Sequence, residues 1–127
     1  MTEYHSLGFI LAIHAEQLRI HGGAAGVRDV GMLESALNRP LQKATYGEPD
    51  LCELAAAYIY GIARNHPFVD GNKRTALAAA DMFLYFNGLD LQAEDEDLIQ
   101  FVQMLAGGEI DQDGAAAFFR DHTAPLA

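Results

Sequence analysis

Two segments of the chain, Leu51 to Ala63 and Ala76 to Phe86, are apolar on nearly every face and are broken only by Glu53 and Asp81. A helix that is hydrophobic all round has no face to offer to water, so it must lie inside a domain with other elements wrapped about it. Two such helices in close succession call for a compact helical interior. The polar chemistry between them is gathered in the short run His66-Pro67-Phe68-Val69-Asp70-Gly71-Asn72-Lys73-Arg74-Thr75.

The local order of that run follows from backbone rules. Pro67 disfavours helical geometry at His66, so the first helix is predicted to stop at or just before the histidine. Asp70-Gly71-Asn72 is turn chemistry, and Asp70 or Asn72 is expected to cap a helix that resumes near Lys73. The free N–H groups of that first turn form a ready anion site, and Gly71 lets a ligand come close to the backbone. Lys73 and Arg74 oppose the helix macrodipole there at about 0.3–1 kcal/mol each, so something negative is expected beside them. Asp70 offsets part of this cost, but two cations with a row of amides suit a multiply charged oxyanion such as phosphate. Histidine titrates near neutrality, which fits His66 as a base for a hydroxyl substrate. The Asp70 carboxylate can hold Mg²⁺, an ion usually bound through one or two carboxylates plus substrate phosphates. Solvated salt bridges at Lys73 and Arg74 and a plain helix end at His66 are the bland alternative. They fit each residue alone better than five polar groups crowded into nine positions.

This run resembles the signature of the Fic/Doc family, whose common form reads H-P-F-x-D/E-G-N-G-R. It is more similar still to the Doc (death on curing) toxin branch, where lysine replaces the second glycine of that form, as Lys73 does here. The likeness extends to His21-Gly22-Gly23, to the run from Gly26 to Leu37 and to Phe86-Asn87-Gly88, covering about Leu7 to Phe119. It implies an all-α fold: a compact bundle of about six helices around a central buried helix-loop-helix, with room for a short flap hairpin. It also implies a transferase that uses ATP and Mg²⁺ on a protein hydroxyl. In Fic enzymes the loop cradles the α-phosphate and adenylate is transferred. In Doc-like members the lysine occupies that cradle, ATP binds the other way round, and the γ-phosphate goes to a threonine of elongation factor Tu, blocking translation.

By the same resemblance His66 is the base and Asp70 the Mg²⁺ ligand. Gly71, Asn72, Lys73 and Arg74 belong to the phosphate cradle, with Lys73 and Arg74 also counted as catalytic. Phe68 anchors the loop, and Arg64 matches a nucleotide-binding position of Doc-like proteins. Ala78 stands where some of those proteins carry a polar residue, so a nucleotide contact from there is missing. Self-inhibited Fic proteins carry an S/T-x-x-x-E-G/N helix, and no Ser or Thr here has Glu four positions on. Restraint is therefore expected from a cognate antitoxin whose disordered tail folds into a groove of this domain. Two alternatives stay open: adenylyl transfer in the Fic manner, and a catalytically idle antitoxin-binding module.

At 127 residues the chain is expected to form a single domain over 1–127. Its net charge of −10 is uneven, with nine acids against seven bases up to residue 89 and nine against one beyond it. Such a surface repels nucleic acid. The bases Arg64, Lys73 and Arg74 nonetheless fall close enough together to take a nucleotide. No signal peptide is visible, and the longest apolar run, Leu54 to Ala63, is too short to span a bilayer, so a cytoplasmic protein is expected. Cys52 is the only cysteine, which excludes disulfides within one chain.

The flanking elements read in order. Leu7, Ile10, Leu11, His14 and Leu18 recur at helical spacing, with Ser6 as cap and Gly22-Gly23 as stop. His14 and His21 share that face and are taken as packing residues. Asp29 is expected to cap a short helix ending before Pro40, and Arg39 to Pro49 is expected to be a loop or a short hairpin, which the resemblance implies is a flap, with a plain connector equally open at Lys43 and Tyr46. Arg28-Asp29 and Glu34 should be structural polar groups that fix the turn. Asp50 with Glu53 forms a capping box for the first buried helix, and Gly88 ends the second. A short extended piece is expected at Leu89 to Ala93, an acid-capped helix after Glu94, and a last helix from Asp111. The tail from Thr123 should fray.

Overall fold

The computed structural model describes residues 1–45, 47 and 50–126. Its elements run α1 (Leu7–His21), α2 (Val30–Ala44), α3 (Leu51–Asn65), α4 (Asn72–Phe86), β1 (Leu89–Leu91), α5 (Asp95–Ala106), α6 (Gln112–His122) and β2 (Thr123–Pro125). The architecture is the expected all-α bundle with one small addition, a two-stranded sheet.

The central element is α3, whose buried residues lie on every side: Leu54, Ala55, Ala56, Ala57, Tyr58, Ile59, Ile62 and Ala63. It packs against α2, α4, α5 and α6. Gly61 permits a close approach to α2, because a Cβ there would lie 3.2 Å from both the Cα and the carbonyl oxygen of Ala36. On the other side α4 offers Ala76, Ala79 and Ala80, and Phe83 and Leu84 fill the wider end of the seam. Capping largely follows the sequence. Ser6 Oγ accepts from the Phe9 amide at 3.1 Å, Asp29 from Met32 at 3.0 Å and Asp111 from Gly114 at 2.7 Å. Asp50 accepts from Cys52 and Glu53, but Glu53 turns toward Lys43 and Arg120, so the capping box is only half formed.

Three expectations are corrected. First, α2 does not stop before Pro40 but continues to Ala44 with Pro40 inside it. A proline in mid-helix costs about 3 kcal/mol through the lost bond to the residue four back, here Ala36. Leu33, Ala36 and Pro40 are the buried residues of this helix, and their burial beside α3 offsets that cost. Arg39 to Ala44 is therefore helical rather than loop or hairpin, which leaves Lys43 in α2. The flap expectation at Tyr46, with Glu48 and Pro49, lies outside the described residues. Second, the tail does not fray at Thr123. Leu89 pairs with Pro125, Asp90 with Ala124 and Leu91 with Thr123 in an antiparallel register, and the Leu126 amide donates to Gly88 at 2.9 Å. Third, neither Asp70 nor Asn72 caps α4; the N-cap is Gly71, in the left-handed region at φ 77°. No helix among the described residues is long and apolar enough to cross a membrane.

Candidate active site

His66 ends α3 in the left-handed conformation, φ 52° and ψ 53°. It is the one non-glycine with positive φ among the described residues. Such a conformation costs on the order of 1–3 kcal/mol and persists only where the surroundings over-determine it. Here they do. Arg28 Nε donates to the His66 carbonyl at 2.7 Å and its NH2 to the Asn65 carbonyl at 3.0 Å, which places a cation where the C-terminal end of the α3 dipole favours one. The Pro67 carbonyl accepts from the amides of Arg28 at 2.7 Å and Asp29 at 3.1 Å, and the Val69 amide donates to Gly26 at 3.0 Å. His14 Nε2 donates to the Asp70 carbonyl at 2.9 Å, and its ring stacks on Phe68 with centroids 3.8 Å apart.

Asn72 locks the inside of this loop. Its Oδ1 accepts from the Phe68 amide at 2.9 Å while its Nδ2 donates to the Phe68 carbonyl at 3.0 Å. That pair of hydrogen bonds to one residue fixes which end of the amide is which. The Nδ2 therefore also donates to His66 Nδ1, 3.2 Å away. A neutral His66 ring held this way carries its proton on Nε2.

The carbonyls of Asn65, His66, Pro67, Phe68 and Asp70 are thus all bound to the scaffold, while the amides of Asn72, Lys73 and Arg74 have no acceptor among the described residues. Lys73 and Arg74 are exposed, and neither has a carboxylate within salt-bridge distance among the described residues. The salt-bridge alternative for these two cations is not what the structure shows. Asp70 Oδ1 accepts from the Gly71 amide at 2.9 Å and Oδ2 from Ala24 at 3.2 Å, which ties the loop to the α1–α2 connection. A Cβ on Gly23 would sit 2.9 Å from that same Oδ2, so glycine is what makes room for the carboxylate.

These residues open onto a cavity of about 410 Å³, within the ordinary range for small-molecule sites. His66, Asp70, Gly71, Asn72, Lys73 and Arg74 all line it, so the structure brings together the expected residues, Arg64 excepted. Arg64 is not among the lining residues; its NH1 donates to the Ala106 carbonyl at 2.9 Å and closes the end of α5. Sequence reasoning missed the opposite wall, Ile99, Val102 and Gln103 of α5, although their spacing already placed them on one stripe of that helix.

A sequence profile of the Fic/DOC family matches residues 4–84. The chain belongs to that family. Among proteins of known name, it is 46% identical over 104 residues to "Toxin Doc" of Mycolicibacterium smegmatis, covering 76% of this chain and 77% of that one. It is also 35% identical over 112 residues to "Protein kinase doc" of Escherichia phage P1, covering 87% and 88%.

The cavity's donor set fits the phosphates of a nucleotide, with three amides and two cations at one helix end that have no partner among the described residues. It fits Mg²⁺ only as a shared ion. Among the described residues no group of three or more His, Cys, Asp or Glu side chains could hold a metal, so Asp70 would be a lone protein ligand and substrate phosphates the others.

Proposed function

We propose that this protein is the toxin of a toxin-antitoxin pair, acting as an ATP-dependent protein kinase that transfers the γ-phosphate to a threonine of elongation factor Tu in the cytoplasm. The observation that carries the reading is the pairing of an unsatisfied anion cradle with His66 in one cavity. The resemblance of the loop and the names of the two relatives point the same way.

In this mechanism the amides of Asn72, Lys73 and Arg74 and the two side-chain cations hold the phosphates in place, an electrostatic role that needs no covalent chemistry from the protein. Asp70, together with the substrate phosphates, would hold Mg²⁺, which would supply charge neutralisation at the phosphate oxygens. The target hydroxyl oxygen forms the new bond to the γ-phosphorus, the bond from that phosphorus to the β,γ-bridging oxygen breaks, and ADP leaves. His66 takes the hydroxyl proton. To accept it at Nε2 the ring has to leave the tautomer that Asn72 imposes, so the Asn72 contact is given up as substrate enters.

A cognate antitoxin completes the reading. An open groove of about 590 Å³ runs between the start of α1 and α2, lined by Leu7, Leu37 and Leu41 with Glu34 and Asn38 beside them. A groove of this kind suits an amphipathic helix that folds as it binds. Intact-mass analysis of elongation factor Tu after incubation with the protein and Mg-ATP tests the catalytic reading. A gain of one phosphoryl group is expected; a gain of one adenylyl group establishes transfer in the Fic manner instead, and an unchanged mass refutes both. His66→Ala should retain fold and antitoxin binding and lose growth arrest.

A further inference from the structure

Arg64 does not line the cavity, yet it holds on to the helix that forms the cavity's opposite wall. Asp95, Glu96 and Asp97 stand in the first turn of α5, where its dipole favours negative charge, but no base stands in its last turn. Beyond residue 89 the chain has one base, Arg120, and that side chain is engaged by Asp50 and Glu53. The carbonyls that end a helix need partners from outside its regular ladder. Those of Gln103, Leu105 and Met104 accept from the amides of Gly107, Gly108 and Glu109, just past the helix. Ala106 is left, and its carbonyl accepts from Arg64 NH1 at 2.9 Å. The seat is shaped for a guanidinium: Gly108 is left-handed at φ 85°, and a Cβ on it would come within 3.1 Å of the same NH1.

We infer that Arg64 is a positioning residue, which clamps the α5 wall of the cavity to the end of α3 that carries His66. Arg64 lies in the last turn of α3, two residues before His66, so the clamp and the loop share one support. α5 is otherwise held by few groups, because only Phe101, Val102 and Leu105 among its residues are buried. A guanidinium donating to a helix's last carbonyl combines a charge-assisted hydrogen bond with a favourable dipole contact. The inference rests on the proposal that the cradle holds the phosphates of a nucleotide. Arg64 sets how the opposite wall stands to that cradle and touches no phosphate itself.

Two measurements on the full chain test the clamp. In amide hydrogen exchange, Arg64→Ala should speed the last turn of α5 roughly tenfold while α3 changes little, and Arg64→Lys, which keeps a cationic donor, should restore part of the protection. In titration calorimetry with Mg²⁺, Arg64→Ala should leave the affinity for inorganic tripolyphosphate within about twofold of wild type. ATP, which is larger and reaches further across the cavity, should bind roughly fivefold more weakly, with Arg64→Lys in between. Equal losses for tripolyphosphate and ATP would make Arg64 a phosphate ligand and overturn the clamp. Unchanged α5 exchange or unchanged ATP affinity overturns it too. Arg64 is exposed, so both variants should fold, and circular dichroism checks that they do; Arg64→Lys carries both readouts if Arg64→Ala does not. A wild type that binds neither ligand overturns the cradle instead, and the α5 exchange then decides the clamp alone.

Discussion

Replacing Asn72 by alanine tests whether a single buried amide holds the loop from His66 to Gly71 in shape. Asn72 is 5% exposed and Phe68 fully buried, so the Phe68 N–H and C=O that the amide satisfies have no ready access to water. Each buried backbone group left without a partner costs about 1–3 kcal/mol, so the variant should lose about 2–6 kcal/mol. With a melting entropy near 2.1 cal/mol/K per residue, that loss lowers the melting temperature by roughly 7–22 °C. Calorimetric melting of both proteins gives the number directly. A fall of only a degree or two would mean that the loop is held elsewhere and that the Asn72 bonds are replaceable. Nitrogen-15 NMR of the histidine rings supplies a second, independent readout. In the wild type His66 should be the Nε2–H tautomer when neutral, and in Asn72→Ala it should redistribute. Finding Nδ1–H in the wild type would show that the ring does not accept a hydrogen bond from Asn72.

Three further perturbations address other parts of the same framework. His14→Phe keeps a ring to stack on Phe68 but removes the donor to the Asp70 carbonyl; tripolyphosphate affinity should drop several-fold for about 1 kcal/mol of stability, with partial recovery in His14→Gln. Unchanged affinity in calorimetry would show that His14 only fills space. Burial holds the His5 pKa below its ordinary value, although its bond to the Ala79 carbonyl pulls the other way. The unfolded chain therefore takes up this proton first, so stability is full above the unfolded pKa of about 6.5 and falls as pH drops through the folded value. His5→Phe should flatten the acid side of a melting-temperature profile, and identical profiles would contradict that. Thr75 Oγ1 is buried with no partner among the described residues, so Thr75→Val should raise stability by about 1 kcal/mol, or roughly 4 °C. A destabilised variant would point to a partner such as a buried water.

The parts of this fold that could be read from the chain are those set by local rules acting in agreement. At Ser6, Asp29 and Asp111 the cap residue, the apolar spacing and the next helix all say the same thing, and each helix begins where they say. Pro40 misled because local and tertiary terms oppose one another there. The backbone rule disfavours helix at Arg39 and Pro40, but the same residue continues the buried stripe of Leu33 and Ala36, and the long-range packing against Gly61 is invisible in a window of ten residues. The tail at Thr123 misled for a related reason, since its partner strand is some thirty residues upstream.

At the site, the sequence showed which groups were present but not how they were held. Lys73 and Arg74 at a helix start signalled an anion, because the conflict with the dipole is a local fact. What the chain order could not disclose is the division of the loop backbone into two sets. His14, Arg28 and the Asp29 amide come from elements far upstream, and together with Asn72 they take up the carbonyls of Asn65, His66, Pro67, Phe68 and Asp70, while Gly26 accepts from the Val69 amide. The amides of Asn72, Lys73 and Arg74 are left over for a ligand because the first turn of a helix has no helical carbonyl one turn back, and the Phe68 and Asp70 carbonyls just before it are already held by Asn72 and His14. The strained turn at His66 belongs to the same arrangement: only by reversing its backbone there can α3 hand its last carbonyls to Arg28 and let α4 begin with its amides facing the cavity. Arg28 therefore ranks with the cavity residues in shaping the site, even though it does not line the cavity.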